Sequence, residues 1–389
     1  MVQAPGRGRG RLSRDARLIL TVQGLRAFAY GVGSVLIGVS LARSSLSGTQ
    51  VGVVFACILL GAALASVAVG RYGDRLGRGS AYRLLLVVMA LAGTAFALTH
   101  SLPLLLLAAL TGTVSTDVVE SGPFTSLEQA MLPQAAAPGK APRLFGTYNT
   151  IATLTGSLGA LAAAVPSLLG ASSPQRWLLV YPLAAALALP FAARLSRDIE
   201  LPLVDGARKR VPLRQSKGIL RRMSVLFALD SFGGGFVVQS FVAYWFTRRF
   251  DASLETLPVV FFCIGLLRTM VFTHLPSNLL LAAVPFAPNL QVGITLLLAR
   301  FVLSQMNVPA RQAYVVAVVE PEERTVAAAY TNGARYAARP VAPLIAGALV
   351  QASSLAAPFV IAGVLKSAYD LAFWKMFHRV PLKDQSPPS

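Results

Sequence analysis

Charge is scarce in this chain, and acid is scarcer still. Of 389 residues only 13% are charged while 55% are hydrophobic, and 16 acids stand against 35 lysines and arginines. A soluble domain usually carries about 25% charged residues. That deficit, with a mean hydropathy of +0.62, excludes an ordinary soluble domain and points to a membrane. Cysteine is nearly absent too. Cys57 and Cys263 both lie inside apolar runs, so neither a disulfide framework nor a metal site is expected. The three histidines, His100, His274 and His378, are scattered, and no glycine-rich loop ends in a lysine. These absences argue against an enzyme, against a cofactor, and against transport driven by ATP bound within this chain.

What is abundant is positive charge, +19 formally. The segment Arg7-Gly8-Arg9-Gly10-Arg11 looks like an RNA-binding tail. Most basic residues, however, fall in short segments between apolar runs, as membrane loops do, so nucleic acid is not an expected partner. The first apolar run begins near Leu18 and leads straight into others, which argues against a cleaved signal peptide. A membrane span needs about 20 apolar residues. Candidate helices run near 17–42, 50–70, 84–100, 102–125, 144–169 and 177–195, then near 223–246, 290–310, 325–351 and 354–375. The polar stretch 196–222, with Lys209, Arg210, Arg214, Lys217, Arg221 and Arg222, reads as a linker between a six-helix bundle (1–195) and a second bundle (223–389). Arg7 to Arg17, Arg71 to Arg83, Lys140 and Arg143, the linker, and Lys375 to Lys383 all fall on one side. By the positive-inside rule that side is the cytoplasm, with both termini inside a multi-pass protein of the cell membrane.

One loop is more specific than the rest. Gly70-Arg71-Tyr72-Gly73-Asp74-Arg75-Leu76-Gly77-Arg78 sits between two membrane-length helices. It resembles the signature of the major facilitator superfamily, G-x-x-x-D-R-x-G-R-R/K, at Gly70, Asp74, Arg75, Gly77 and Arg78. Gly79 stands where a second basic residue is usual. The resemblance implies an all-α polytopic fold of two pseudo-symmetric bundles, a small-molecule substrate moved by alternating access, and a monomer in the lipid bilayer. It also implies that Asp74, held by Arg78, latches the cytoplasmic side against the start of helix eleven, near Glu322 to Thr325. There the helix dipole and unpaired backbone N–H groups favour an acid.

The chain repeats itself, as such a duplicated bundle requires. Val53 to Ile58 aligns with Val259 to Ile264 at an offset of 206, and Leu25 to Phe28 with Leu229 to Phe232 at 204. Further on, Glu128-Gln129-Ala130 aligns with Arg311-Gln312-Ala313, and Asn149 with Asn332, both at 183. The fall in offset means that the second bundle lacks 23 residues between Leu267 and Arg311, the counterpart of Ala62 to Leu84. The expected architecture is therefore about 11 or 12 helices, with the helix eight and nine region (250–290) incomplete. Residues 256–288 are too few for two full passes, which need about 40. Arg268, His274 and Pro276 also interrupt them, so a shortened, distorted hairpin is expected, or one helix that fails to keep topology.

Charges inside spans cost about 2.5–3.5 kcal/mol each on insertion scales, so they pair or line a watery cavity. Superimposing the repeats places Arg26 opposite Asp230, Asp117 opposite Arg300 and Glu128 opposite Arg311. By the resemblance, helices one, four, seven and ten line a central cavity, so these groups could be exchanging partners or plain structural pairs. Asp230 and Asp117 are the candidate proton carriers, because a carboxylate that meets its arginine in only one conformation changes its proton affinity between states. Glu120 lies three residues from Asp117 and could share its proton. Asn307, Gln312, Gln239 and Tyr148 are candidate neutral hydrogen-bonding groups, or interhelical contacts. Glu128, Arg311 and Arg335 are further gate candidates. Helix five carries Gly156-Ser157-Leu158-Gly159-Ala160, without the proline of the G-P-x-x-G-G element found in many drug–proton antiporters of the superfamily. The expected function is proton-coupled efflux of a small organic molecule. Arg26, Arg300, Arg335 and Arg339 leave uptake of an organic anion open, and the 23-residue deficit leaves open a relative that does not transport.

Overall fold

Capping residues set where the first helices begin. Ser13 accepts a hydrogen bond from the Ala16 N–H and starts α1, Arg14–Arg43. Ser47 and Gln50 form a reciprocal capping box at the start of α2, Gly48–Leu76. A single residue, Gly77, separates α2 from α3, Arg78–Leu98, and its φ of +82° is one that a side chain would resist. The computed structural model describes residues 12–115, 122–135, 141–171, 173–200, 217–267, 274–303, 333–352 and 354–377. Among these the regular elements are helices, with no strand.

The chain continues through α4 (Leu102–Leu110), α5 (Pro123–Ala135), α6 (Ala141–Ala162), a short α7 (Val165–Leu168) and α8 (Val180–Ala193). After the linker come α9 (Lys217–Gly235), α10 (Gln239–Phe250), α11 (Thr256–Leu267), α12 (His274–Ala283), α13 (Leu290–Leu303), α14 (Val341–Gln351) and α15 (Ala357–Phe377). Six stretches are long and apolar enough to cross a membrane: 14–43, 48–73, 78–98, 144–168, 174–193 and 218–250. Large apolar side chains such as Leu64, Leu91, Leu107, Leu183 and Trp374 are exposed, as a lipid-facing surface requires.

Two expected spans are not continuous. The span at 102–125 breaks at Thr111, where Gly112 takes φ +70° against the backbone of Gly61, and helix resumes with a proline at Pro123. The span at 223–246 breaks between Gly235 and Gln239. Irregular backbone at membrane depth survives only where protein buries it or a cavity wets it. Here Tyr30 Oη donates to the Thr113 carbonyl at 2.9 Å and Tyr181 Oη to the Ser115 carbonyl at 3.1 Å, so two buried phenols replace the missing helical donors.

In the interrupted region near 250–290, the choice between a distorted hairpin and a single helix rests on residues 268–273, which lie outside the described residues. Helices α11 and α12 have 12 and 10 residues. Both are nonetheless packed, α11 against α6 and α13, α12 against α13 and α15.

Contacts between the first 200 residues and the rest have a clear location. Gly38 lies against the Ser240 carbonyl and Ala243, while Gly52 lies against the Pro343 carbonyl and the backbone of Gly347. Gln239 Nε2 donates to Ser34 Oγ and Ser240 Oγ to the Ser34 carbonyl, both at 2.9 Å. The Gly48 N–H donates to Gln351 Oε1 at 2.9 Å, and Ser167 Oγ to Glu255 Oε1 at 3.2 Å. Gly38 and Gly48 flank the turn joining α1 to α2, whereas Gly77 closes the other end of α2. The cross-chain hydrogen bonds among the described residues thus gather at the end away from Gly77. A Cβ on Gly52 would come within 2.5 Å of the Pro343 oxygen, and backbone cannot step aside as a flexible side chain can. Gly52→Val is expected to destabilise the protein by about 1–3 kcal/mol, the usual cost of overpacking. Thermal unfolding in detergent measures this, and an unchanged midpoint would contradict the close approach.

Candidate functional site

Arg26 sits in the middle of α1 with no solvent exposure. Four helices converge on it. Its Nη2 donates to Glu128 Oε2 of α5 at 2.5 Å, and also to Gln23 Oε1 one turn earlier in α1. Its guanidinium carbon lies 4.6 Å from the ring centroid of Phe124 and 5.3 Å from that of Tyr30. The Glu128 carboxylate is equally buried and takes two further donors. Tyr82 Oη from α3 reaches Oε1 and Tyr148 Oη from α6 reaches Oε2, each at 2.5 Å. A buried ion pair is tolerable only when the remaining lone pairs and protons find partners, and the two tyrosines give the carboxylate that.

A second pair lies in the later part of the chain. Lys366 Nζ of α15 donates to Asp230 Oδ1 of α9 at 2.7 Å, and here the side chains keep 14% and 11% exposure. One turn along α15, Asp370 Oδ2 accepts from Asn278 Nδ2 of α12 at 2.7 Å. Lys366 also lies beside Gly233 and Gly234, whose missing side chains leave it room.

These pairings correct the symmetry argument. It set Arg26 opposite Asp230, but the structure pairs Arg26 with Glu128 and Asp230 with Lys366. Each charge meets an opposite charge on a helix packed beside its own, and desolvation favours the nearest such partner. Glu128 is thus the partner of Arg26, while its repeat counterpart Arg311 lies outside the described residues. Lys366 and Asp370 were missed, although a lysine and an aspartate four residues apart inside an apolar run are themselves a signal. Tyr148 and Gln239 do make interhelical hydrogen bonds, to Glu128 and Ser34. Arg300 lies near the end of α13 with its guanidinium 4.6 Å from the Phe301 ring centroid. The Arg335 carbonyl accepts from Ser231 Oγ at 3.0 Å. Asp117, Glu120, Asn307, Arg311, Gln312 and the segment Glu322 to Thr325 lie outside the described residues.

The signature loop is firmly placed on one side. Arg78 is buried, and its Nη1 donates to the carbonyls of Ala130 (2.9 Å) and Ile199 (3.2 Å). Glu200, just past the sixth span, accepts the N–H groups of Arg78 (2.7 Å) and Gly79 (3.0 Å), capping the start of α3. Arg75 is exposed, and Gly70 has open space where a Cβ would stand. The Asp74 side chain lies outside the description, so its latch stays an expectation.

Paired charges buried among apolar helices, two broken spans and a glycine-lined seam define a polytopic membrane protein. The chain matches the Major Facilitator Superfamily over residues 19–277 and belongs to that family. It is 24% identical over 428 residues to the uncharacterized membrane protein YJR124C of Saccharomyces cerevisiae, covering 95% of this chain and 96% of the yeast protein. That alignment is longer than this whole chain, so part of the yeast protein has no counterpart here. The fold is similar to that of the nucleoside transporter NupG, with a TM-score of 0.70 and 14% identity, over 94% of this chain and 100% of NupG. A D-xylose–proton symporter gives 0.68 and 14%, over 94% and 98%. The fold is thus that of secondary membrane transporters, and family and fold together indicate a transporter rather than an enzyme.

A test of the buried cluster follows from its energetics. Removing one member of a buried ion pair strands the other, at a cost of about 3–5 kcal/mol, whereas replacing both by neutral groups of similar size costs far less. Arg26→Met and Glu128→Gln alone should each lower thermal stability more than the double variant does. Additive losses in detergent would show that the two groups do not depend on one another.

Proposed function

We propose that this protein is a proton-coupled secondary transporter that exports a small organic molecule by alternating access, with residues 1–195 and 223–389 as the two rocking bundles and 196–222 as the cytoplasmic linker. The observation that carries this reading is the contrast between the two ion pairs. Arg26–Glu128 is sealed and saturated with donors, which suits a fixed pivot of the first bundle. Asp230–Lys366 is partly exposed, joins two helices, and has glycine space around the lysine, which suits a pair that opens and closes.

In this mechanism, protonation of Asp230 removes the charge that holds Lys366. The freed ammonium then favours a position nearer water or a substrate acceptor, and loss of the proton restores the pair. The cross-chain contacts at Gly38, Gly48 and Gly52 close the outer end, so the conformation is the cytoplasm-facing one. Asp74, Arg75 and Arg78 form the cytoplasmic latch of the opposite conformation, with Glu200 holding the loop in register for it. Kinship in fold with a D-xylose–proton symporter supports proton coupling as chemistry that this scaffold can host. The basic loops near Gly77 support a cytoplasmic location for that end in the cell membrane, and the protein acts as a monomer.

Purified protein in proteoliposomes, given an imposed pH gradient and a panel of small amphipathic compounds, tests the reading. Wild type should move at least one compound against its gradient. Asp230→Asn should abolish that accumulation while leaving exchange at equal pH. Accumulation retained in Asp230→Asn would place the proton elsewhere and refute the assignment.

A further inference from the structure

On the outside of the bundle, a hollow of about 460 Å³ lies between α1, the α6–α7 junction and the start of α8. It exists because α6 does not run on. After Ala162 the chain makes two turn residues, with the Ala164 N–H bonding Leu161 rather than the i−4 carbonyl, and restarts at Val165-Pro166 as the short α7. The offset leaves a hollow beside α1, although Val32 and Leu36 of that helix stay buried beneath it. Phe28, half-buried, is the part of α1 that borders the opening, and exposed Leu179 and Leu183 form the opposite wall. Deeper in, Gly31 against Gly156 and Gly159 against the Phe28 carbonyl close the helices tightly together, so the hollow is a groove open to the side and not a passage through the bundle.

One part of this lining is not apolar. Arg176 and Trp177, in the 3-10 turn Pro174–Leu179 that leads into α8, also border the groove, and both are exposed. The Arg176 guanidinium makes no ion pair or side-chain hydrogen bond among the described residues. An indole and a cation at the end of a membrane span occupy the depth of lipid headgroups, where both residue types are favoured. The volume falls within the range of small-molecule sites. Trp177, Leu179 and Leu183 are the exposed apolar lining, spread over about 9 Å of helical rise, which gives a hydrocarbon chain its contact.

We propose that this groove is a binding site for an anionic phospholipid, with an acyl chain along Leu179 and Leu183 against Phe28 and the headgroup phosphate on Arg176. A zwitterionic lipid has the same chain but a phosphate already neutralised by its own ammonium, so Arg176 selects the anionic one. The site lies on the outer surface, separate from Asp230–Lys366, and its occupancy does not depend on what the protein transports.

Trp177 provides the readout, because bromine on a lipid chain quenches only indoles that it touches. Wild type and Trp177→Phe are reconstituted in phosphatidylcholine vesicles containing increasing fractions of brominated phosphatidylglycerol, or of brominated phosphatidylcholine, and the difference in emission isolates Trp177. Half-maximal quenching is expected at about fivefold lower mole fraction for the glycerol lipid, the effect of about one basic contact at the surface. Arg176→Gln, an exposed position whose change leaves the fold intact, should bring the two lipids together. High salt should weaken the wild-type preference. Equal quenching by both lipids in wild type would reduce the groove to ordinary bilayer contact. A preference that survives Arg176→Gln would remove the headgroup site, and no quenching from Trp177 would remove the chain site. Any of these overturns the proposal.

Discussion

The desolvation of Arg26 governs much of the first bundle. A guanidinium in the middle of a membrane helix cannot lose its proton, so the surrounding helices must supply a counter-charge and keep water out. Glu128 meets that need only because helix breaks after Leu110 and resumes at Pro123, setting α5 beside α1. The break in turn exposes the carbonyls of Thr113 and Ser115, which Tyr30 and Tyr181 satisfy. Tyr82 and Tyr148 then draw α3 and α6 to the same carboxylate. One buried charge thus sets the relative placement of α1, α3, α5 and α6, and the break in helix four is a consequence of the pairing as much as its cause.

The seam between the earlier and later parts of the chain is built on a different principle. It uses small residues and short neutral hydrogen bonds, Gly38, Gly48, Gly52, Gly347, Ser34 and Ser240, where the first bundle uses charge. Close backbone approach gives good dispersion contact, yet such a contact strands no buried charge when it separates. A sealed bundle and a separable seam are what a rocking mechanism requires.

The sequence carried the helices well and the partners less well. Span positions in the first bundle and the loop at Gly77 followed from hydropathy and glycine spacing, because each is a local signal. The break at Thr111 was not legible. Thr111, Gly112, Thr113, Ser115, Gly122 and Pro123 mark it, but polar and small residues of this kind also line cavities in unbroken membrane helices. Partner choice failed for a related reason. Pseudo-symmetry predicts equivalent depth, but pairing depends on which helices are adjacent, so Glu128 and Lys366 took the places of Asp230 and Arg26 as partners. Glu200 was invisible as a cap on α3 because its bonds span more than 120 positions of sequence.

Alternating access is the central claim, and a distance across the seam tests it most directly. Spin labels at Thr49→Cys and Ala352→Cys, both exposed and adjacent to the Gly48–Gln351 contact, report the separation of the two sides at the end away from Gly77. Double electron–electron resonance on the protein in lipid nanodiscs should give a short distance together with a longer population that grows or shrinks as pH is changed across the titration of the coupling carboxylate. A single short distance at every pH would mean that the seam does not open, and the account of this protein as a proton-driven alternating-access carrier would fail.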